Sequence, residues 1–428
     1  MNEFLNIPFS REPSHSTDGT FTHVDLGFDD TQTCSMKKKK IIVLGFMGGC
    51  PIAGVIWQHI HYIVGLQRLG HEVYYVEDTS RFPYNPSNFD ISDDYSYAVQ
   101  TLTTLAKEHD FEGRWAYCAR YRETFEIAGM KHGELLQLYR DSDAALNICG
   151  SHNLNEDLAL IPNLIYVESD PGVEQIKVDQ QNKTTISFLK HHRHLFTFGE
   201  NIGTPDFPVP THGLTWLPTR QPVVTDLWSS RTKASSSEPA ALFTSICNWS
   251  TSGKKDIVWR DSNYLWSKSL EFLKFVEAPK KSGEIFELAT DIKDPTEQQL
   301  FEKNNWRLIL PHDLSTHWNH YRDYIYHSKG EFTCAKDQYV RLHTGWFSDR
   351  SACYLAAGRP VITQETGFSK FYGESEGLIG FSTMEEIVEA VHSIRADYKK
   401  HSCAALEIAR EFFEAEKVLK SLLERAGV

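Results

Sequence analysis

Apolar positions in this chain come in short unbroken blocks, and longer amphipathic stretches separate them. Ile41 to Phe46 is the first block. It is rich in branched side chains and too short for a helix, so it predicts a buried strand. Met47 to Gly54 is a loop of small residues, and a helix is predicted from about Val55 to Leu69, closed by Gly70. His71 to Asp78 then alternates into a second strand, which completes a strand–helix–strand unit. The same reading predicts helices over Tyr97–Glu108 and Gly133–Arg140, and strands over Ala144–Ile148, Asn163–Glu168 and Leu195–Phe198. Pro208 to Val224 carries four prolines and closes this half.

Asp226 to Pro239 is Ser-rich, mixed in charge and poor in branched apolar residues, as a linker should be. The pattern restarts with a strand at Ala240–Ile246 and a polar loop from Cys247 to Lys255. Elements follow at Tyr264–Phe275, Ile285–Ala289, Thr296–Asn304, Trp306–Leu310 and Ser315–His327, alternating helix and strand. Such alternation implies parallel sheets. The predicted fold class is α/β, with two Rossmann-like domains facing a central cleft. The expected organisation is an N-terminal extension over 1–36, a first domain over 37–225, a linker over 226–239, a second domain over 240–400, and a C-terminal helix over 401–428 that crosses back to the first.

Ser328 to Tyr372 is the most informative stretch. Lys336 to Phe347 has no steady period and reads as a loop. Ser348 and Asp349 are good N-cap types for a helix running to Ala357. Gly358 and Pro360 end that helix, and Pro360–Thr363 is a buried strand leaving into Gln364–Phe368. One helix N-terminus and one strand C-terminus thereby meet at one sheet edge. Free amide groups and a positive dipole end suit a phosphate there. Lys336, Arg341, His343 and Arg350 add positive charge nearby. Asn248, Trp249 and Lys254 approach from the opposite side.

These residues carry a resemblance. The small-residue helix ending in Gly-Arg-Pro-Val-Ile, with the Gln-Glu-Thr-Gly-Phe loop after it, resembles the donor-binding half of GT-B glycosyltransferases. The phrase from Gly65 to Asp78 is similar to the opening of many such chains. The resemblance implies a nucleotide-sugar donor, UDP-linked by preference, on the second domain and an acceptor on the first. It implies Ser348, Asp349, Arg350 and Lys336 at the diphosphate, and Glu365, with Thr366 and Gly367, at the donor sugar. It also places Gly48, Gly49 and Gly54 in a loop facing the cleft. No metal or cofactor is implied, because a helix dipole and basic side chains can carry the leaving diphosphate.

The chain departs from the family at two places. Retaining relatives carry two glutamates around the helix before the Gly-x-Pro turn, where this sequence has Gly345 and Cys353. The His-Gly-Gly helix start of one inverting group is also missing. A catalytic base is therefore sought at strand ends of the first domain: Asp170 before its Pro-Gly turn, His61 (or His59) on the first helix, and Glu200 after Gly199. A non-catalytic two-domain nucleotide- or sugar-binding protein, and a sugar epimerase or phosphorylase of the same fold, are the alternatives.

Composition narrows the partners. The 428 residues have a formal net charge of −13, which argues against a general nucleic-acid partner. No apolar run is long enough to span a bilayer. The N-terminus lacks a signal-like apolar region, so a cytoplasmic enzyme is expected. The eight cysteines show no CxxC pair and read as reduced thiols. The run Lys190-His-His-Arg-His194 reads as a solvated face rather than a metal site. The acceptor, a small molecule, glycan or protein, is not legible in the residues.

Overall fold

A computed structural model describes residues 38–229, 242–250, 256–373 and 376–428. The expected N-terminal extension, Lys254, and the linker beyond Ser229 lie outside the described residues.

Eight strands form the first sheet: β1 (Lys40–Leu44), β2 (Glu72–Glu77), β3 (Trp115–Ala119), β4 (Glu126–Gly129), β5 (Ala144–Ile148), β6 (Leu164–Glu168), β7 (His194–Thr197) and β8 (Trp216–Pro218). Their spatial order is β8-β7-β6-β5-β1-β2-β3-β4. All neighbours are parallel except β3 and β4. The second sheet has six parallel strands: β9 (Phe243–Ile246), β10 (Phe286–Ala289), β11 (Trp306–Ile309), β12 (Gly330–Thr333), β13 (Val361–Gln364) and β14 (Leu378–Phe381). They are ordered β11-β10-β9-β12-β13-β14. β1 and β9 each sit where the strand order reverses, and in open sheets of this kind the crevice beyond such strand ends binds ligands.

Helix α1 (Ala53–Arg68) follows β1, and its inner face is apolar, with Ile56, Ile60, Ile63 and Leu66 almost fully buried. Helix α2 (Asp349–Ala356) is capped by Ser348 in extended geometry and ends at Gly358, whose φ of 67° is the left-handed conformation that suits glycine. Tyr354 on α2 reaches the β9 hydroxyl of Thr244 at 2.7 Å, which fixes the helix against the sheet.

The C-terminal segment is not one continuous helix. Helix α3 (Tyr398–Ile408) passes through a π-turn at Ala409–Phe413, breaks at Glu414, and resumes as α4 (Ala415–Arg425). The break has a backbone reason. Phe413 O accepts from Val223 N at 2.7 Å and Ala415 N donates to Val223 O at 2.9 Å, so the chain pairs with a segment of the first half instead of continuing its helix. α4 then lies on α1. A Cβ at Gly65 would meet Leu419 at 2.6 Å and Ala415 at 2.8 Å, so the two helices approach as closely as glycine permits.

Residues 226–229 are not linker-like. Trp228 is 1% exposed and packs on Trp57 and His61 of α1. The stretch read as a loop from Lys336 contains a helical turn at Asp337–Arg341.

Candidate active site

A cleft of about 470 Å³ opens beyond the carboxyl ends of β1 and β9. The first half contributes Ile52, Gly54, Val55, Trp57 and Gln58 at the start of α1, together with His61. From the second come Ile246, Cys247 and Asn248 after β9, Lys336 after β12, and Ser348, Asp349 and Arg350 at the start of α2. Trp266 and Lys268 also line the wall. The helix-start and strand-end residues expected at the phosphate therefore do share one cavity.

Three cations line it, and their circumstances differ. Arg350 is held from three sides: by the buried Glu331 carboxylate, by Ile246 O at 2.8 Å and by Thr333 Oγ1 at 2.8 Å. Its charge is already balanced inside the protein by Glu331. Lys336 donates to Asp170 Oδ1 at 2.7 Å and to the Tyr339 hydroxyl at 3.0 Å, with its ammonium 3.2 Å from the centre of the Trp266 ring. Lys268 is only 8% exposed, and among the described residues it has no hydrogen-bond or ion-pair partner. Burial, and then the positive charges of Arg350 and Lys336, lower it to about 8. A buried ammonium beside two other cations is a standing demand for an anion.

Sequence reading missed Lys268. A lysine between two serines ahead of a short helix looks like solvated surface, and only its burial at the cleft marks it.

Asp349 is the one carboxylate lining this cleft among the described residues. Its Oδ1 lies 3.4 Å from Gln58 Nε2 of α1, so it stands at the seam between the two halves. Burial, and next the Asp170 carboxylate, push it up to about 7.

Of the sequence-predicted bases His61 lines the cleft, and each of them has partners inside the protein. Asp170 is absent from the cleft wall, and its Oδ1 accepts from both Lys336 and the Tyr339 hydroxyl. His61 is 2% exposed, with Val224 N at 3.0 Å from Nδ1 and the Trp228 indole N–H at 3.0 Å from Nε2. Burial lowers it to about 3, which suits packing and not proton transfer. His59 is fully buried and its Nδ1 lies 2.7 Å from the Val55 carbonyl. Glu200 pairs with Arg220 at 2.9 Å and accepts from Tyr372 at 2.8 Å.

Several residues expected at the donor site also have other partners. Trp249 packs on Phe272 and Phe301, and its indole donates to Glu297 at 2.8 Å. Arg341 donates to Asn263 O and lies over the Tyr264 ring, away from the cleft. His343, Glu365 and Gly367 border a separate surface depression, and the Glu365 carboxylate accepts from Gly367 N within its own loop. Thr366 donates to Trp346 O at 2.6 Å.

Of the cleft-loop glycines, Gly54 lines the cavity. Gly48 and Gly49 instead donate their amides to the Glu77 carboxylate at the end of β2. Burial raises Glu77 to about 7, and the Tyr75 hydroxyl with these two amides draws it down. In the basic run, His191 and His192 turn back to the carbonyls of Ser187 and Phe188. Among the described residues no group of three or more His, Cys, Asp or Glu is placed to hold a metal ion.

No protein-family model matches the chain, and no curated protein matches it. Solved structures do. An alpha-glucosyltransferase solved with UDP and a 13-mer DNA containing a central A:G mismatch superposes with a TM-score of 0.53 at 11% identity, over 92% of this chain and 100% of that one. HepE of Anabaena in complex with UDP gives 0.50 at 10% identity, over 91% and 99%. A glycosyltransferase from Rickettsia africae gives 0.50 at 11% identity, over 91% and 98%. The chain has the GT-B glycosyltransferase fold. Within that GT-B frame the cleft described above lies between the two sheets, and α4 crosses from the second half onto α1 of the first. No helix among the described residues is long and apolar enough to cross a membrane.

Proposed function

We propose that this protein transfers a sugar from a nucleotide-diphosphate sugar, with UDP-sugars the first candidates, to an acceptor nucleophile in the cleft. The observation that carries the reading is Lys268: among the described residues, a buried ammonium with no hydrogen-bond or ion-pair partner, in a cavity that also holds Lys336 and the amide end of α2. A diphosphate supplies the missing charge, and strong charge-assisted hydrogen bonds form where the cavity excludes water. In this reading residues 240–400 bind the donor and residues 37–225 the acceptor. Segment 401–428 returns to the first half and ties the two together. The ammonium groups and helix N-terminus stabilise the leaving diphosphate, so the reaction runs without a metal ion. Asn248 and Trp266 border the same space, and in this reading they contact the nucleoside or sugar. That two of the similar structures hold UDP supports the choice of nucleotide.

The test is a thermal-shift screen of UDP-, GDP-, dTDP- and CMP-sugars against the wild-type protein, followed by nucleotide release from any donor that binds. A stabilising donor whose effect is lost in Lys268→Met supports the reading. Absence of any nucleotide effect, or an effect equal in Lys268→Met, overturns it.

A further inference from the structure

We infer that Asp349 is the base that takes the acceptor proton during transfer. The inference rests on the glycosyl-transfer reading and goes beyond it by assigning the proton. Three observations support it. Asp349 is the carboxylate that lines the cleft, among the described residues. It projects from the start of α2 on the donor half yet lies against Gln58 of α1 on the acceptor half, so both substrates would meet it. The remaining candidates are engaged elsewhere: Asp170 by Lys336 and Tyr339, and Glu200 by Arg220.

Its surroundings suit the task. Gln58 and the buried Tyr62 face it from α1, Asp170 from the loop after β6, Tyr339 from the turn after β12, and Arg350 and Cys353 from its own helix. The raised value near 7 puts the group close to the working range of a general base. In the step, the acceptor hydroxyl oxygen forms a bond to the anomeric carbon as its proton passes to an Asp349 carboxylate oxygen. The bond from that carbon to the diphosphate oxygen breaks, and its electron pair leaves with the nucleotide. Proton uptake also neutralises the Asp349 carboxylate in the cleft wall as the diphosphate gains charge. The amide end of α2 and Lys268 then face the leaving group without a competing anion.

The experiment measures nucleotide Kd by calorimetry and turnover from pH 5.5 to 8 for wild type, Asp349→Asn and Asp349→Glu. The expected result is a wild-type kcat/KM that rises through pH 7. Asp349→Asn should keep nucleotide Kd within about threefold, lose about 100-fold or more in kcat, and lose the rise at pH 7. Asp349→Glu should recover part of the activity. Wild-type turnover with no rise between pH 6 and 8, or Asp349→Asn turnover within tenfold of wild type, would overturn the role while leaving the transfer reading intact. A wild-type protein that binds no nucleotide and releases none from any donor would overturn both. The wild-type pH profile decides the matter even if the variants fail to fold.

Discussion

The ammonium of Lys336 lies 2.7 Å from the carboxylate of Asp170, although 166 positions separate them in the chain. The pair joins the loop after β6 to the loop after β12, and so bridges the two halves beside the cleft. A diphosphate binding at Lys336 must compete with Asp170. Asp170→Asn should therefore tighten UDP binding, by about two- to tenfold, because one rival anion is removed. Lys336→Met should weaken it by about 1.5–3 kcal/mol, the range for a hydrogen bond to a charged group. Calorimetry with UDP checks both. Tenfold weaker binding in Asp170→Asn would mean that Asp170 itself serves the donor.

Lys268 gives the binding a pH dependence whose sign is fixed. In the free protein burial lowers it to about 8, and a bound diphosphate favours its charged form. The Lys268 contribution to affinity is full below pH 8 and falls as pH rises above it, by up to about tenfold per unit for one linked proton. Ionisation of Asp349 above pH 7 acts in the same direction, since it adds negative charge to the cleft wall. Titrations at pH 7, 8 and 9 should show the fall in wild type and a shallower one in Lys268→Met. Constant affinity across that range would contradict the placement of Lys268 at the diphosphate.

Arg350 should behave as a structural residue. Its partner Glu331 is 0% exposed, so removing the guanidinium leaves a buried carboxylate unpaired. Arg350→Ala should cost about 3–5 kcal/mol of stability, as breaking a buried pair does. A denaturant melt reads this directly. A variant of wild-type stability with weakened nucleotide binding would return Arg350 to the phosphate.

Buried ionisable groups set the pH optimum of the fold. Burial lowers His59, His109 and His192 to about 4, and His61 and His152 to about 3. Their unfolded value is near 6.5, so the unfolded chain binds the extra protons first. This stability is present above pH 6.5 and is lost as pH falls toward 4, at about 1.4 kcal/mol per unit for each histidine. Glu77, at about 7, and Glu168, at about 8, run the other way: burial raises both, so their contribution declines as pH rises from 4.5. Between 6.5 and 8 the raised carboxylates, Asp349 at about 7 among them, set the slope, and Lys268 joins only near 8. Stability should peak near pH 6.5 and decline toward 8. A melting temperature that keeps rising to pH 8 would contradict this balance.

What was legible in the chain was local. The capped helix predicted over Ser348–Ala357 is observed as Asp349–Ala356, and the strand after it as Val361–Gln364, because cap types, a glycine stop and a branched apolar run all act within a few residues. Short-range signals also gave the alternation behind both sheets. Partners set by the fold were not legible. Arg350 reads as a free cation until Glu331, on the neighbouring strand, is brought beneath it, and Asp170 reads as a free carboxylate until Lys336 arrives from the other half. The C-terminal break at Glu414 follows from pairing with Val223, which no helical pattern contains. Lys268 is the reverse case, a residue with no local signal that the fold buries at the cleft.

The most direct test of the account is calorimetric titration of the wild-type protein and Lys268→Met with UDP and GDP at pH 7, with circular dichroism to verify folding. At least one nucleotide should bind wild type with one site per chain. Folded Lys268→Met should bind it at least tenfold more weakly, consistent with loss of a charge-assisted contact of about 1.5–3 kcal/mol. Equal affinity in the two proteins, or no heat with either nucleotide, would contradict a nucleotide-sugar site in this cleft.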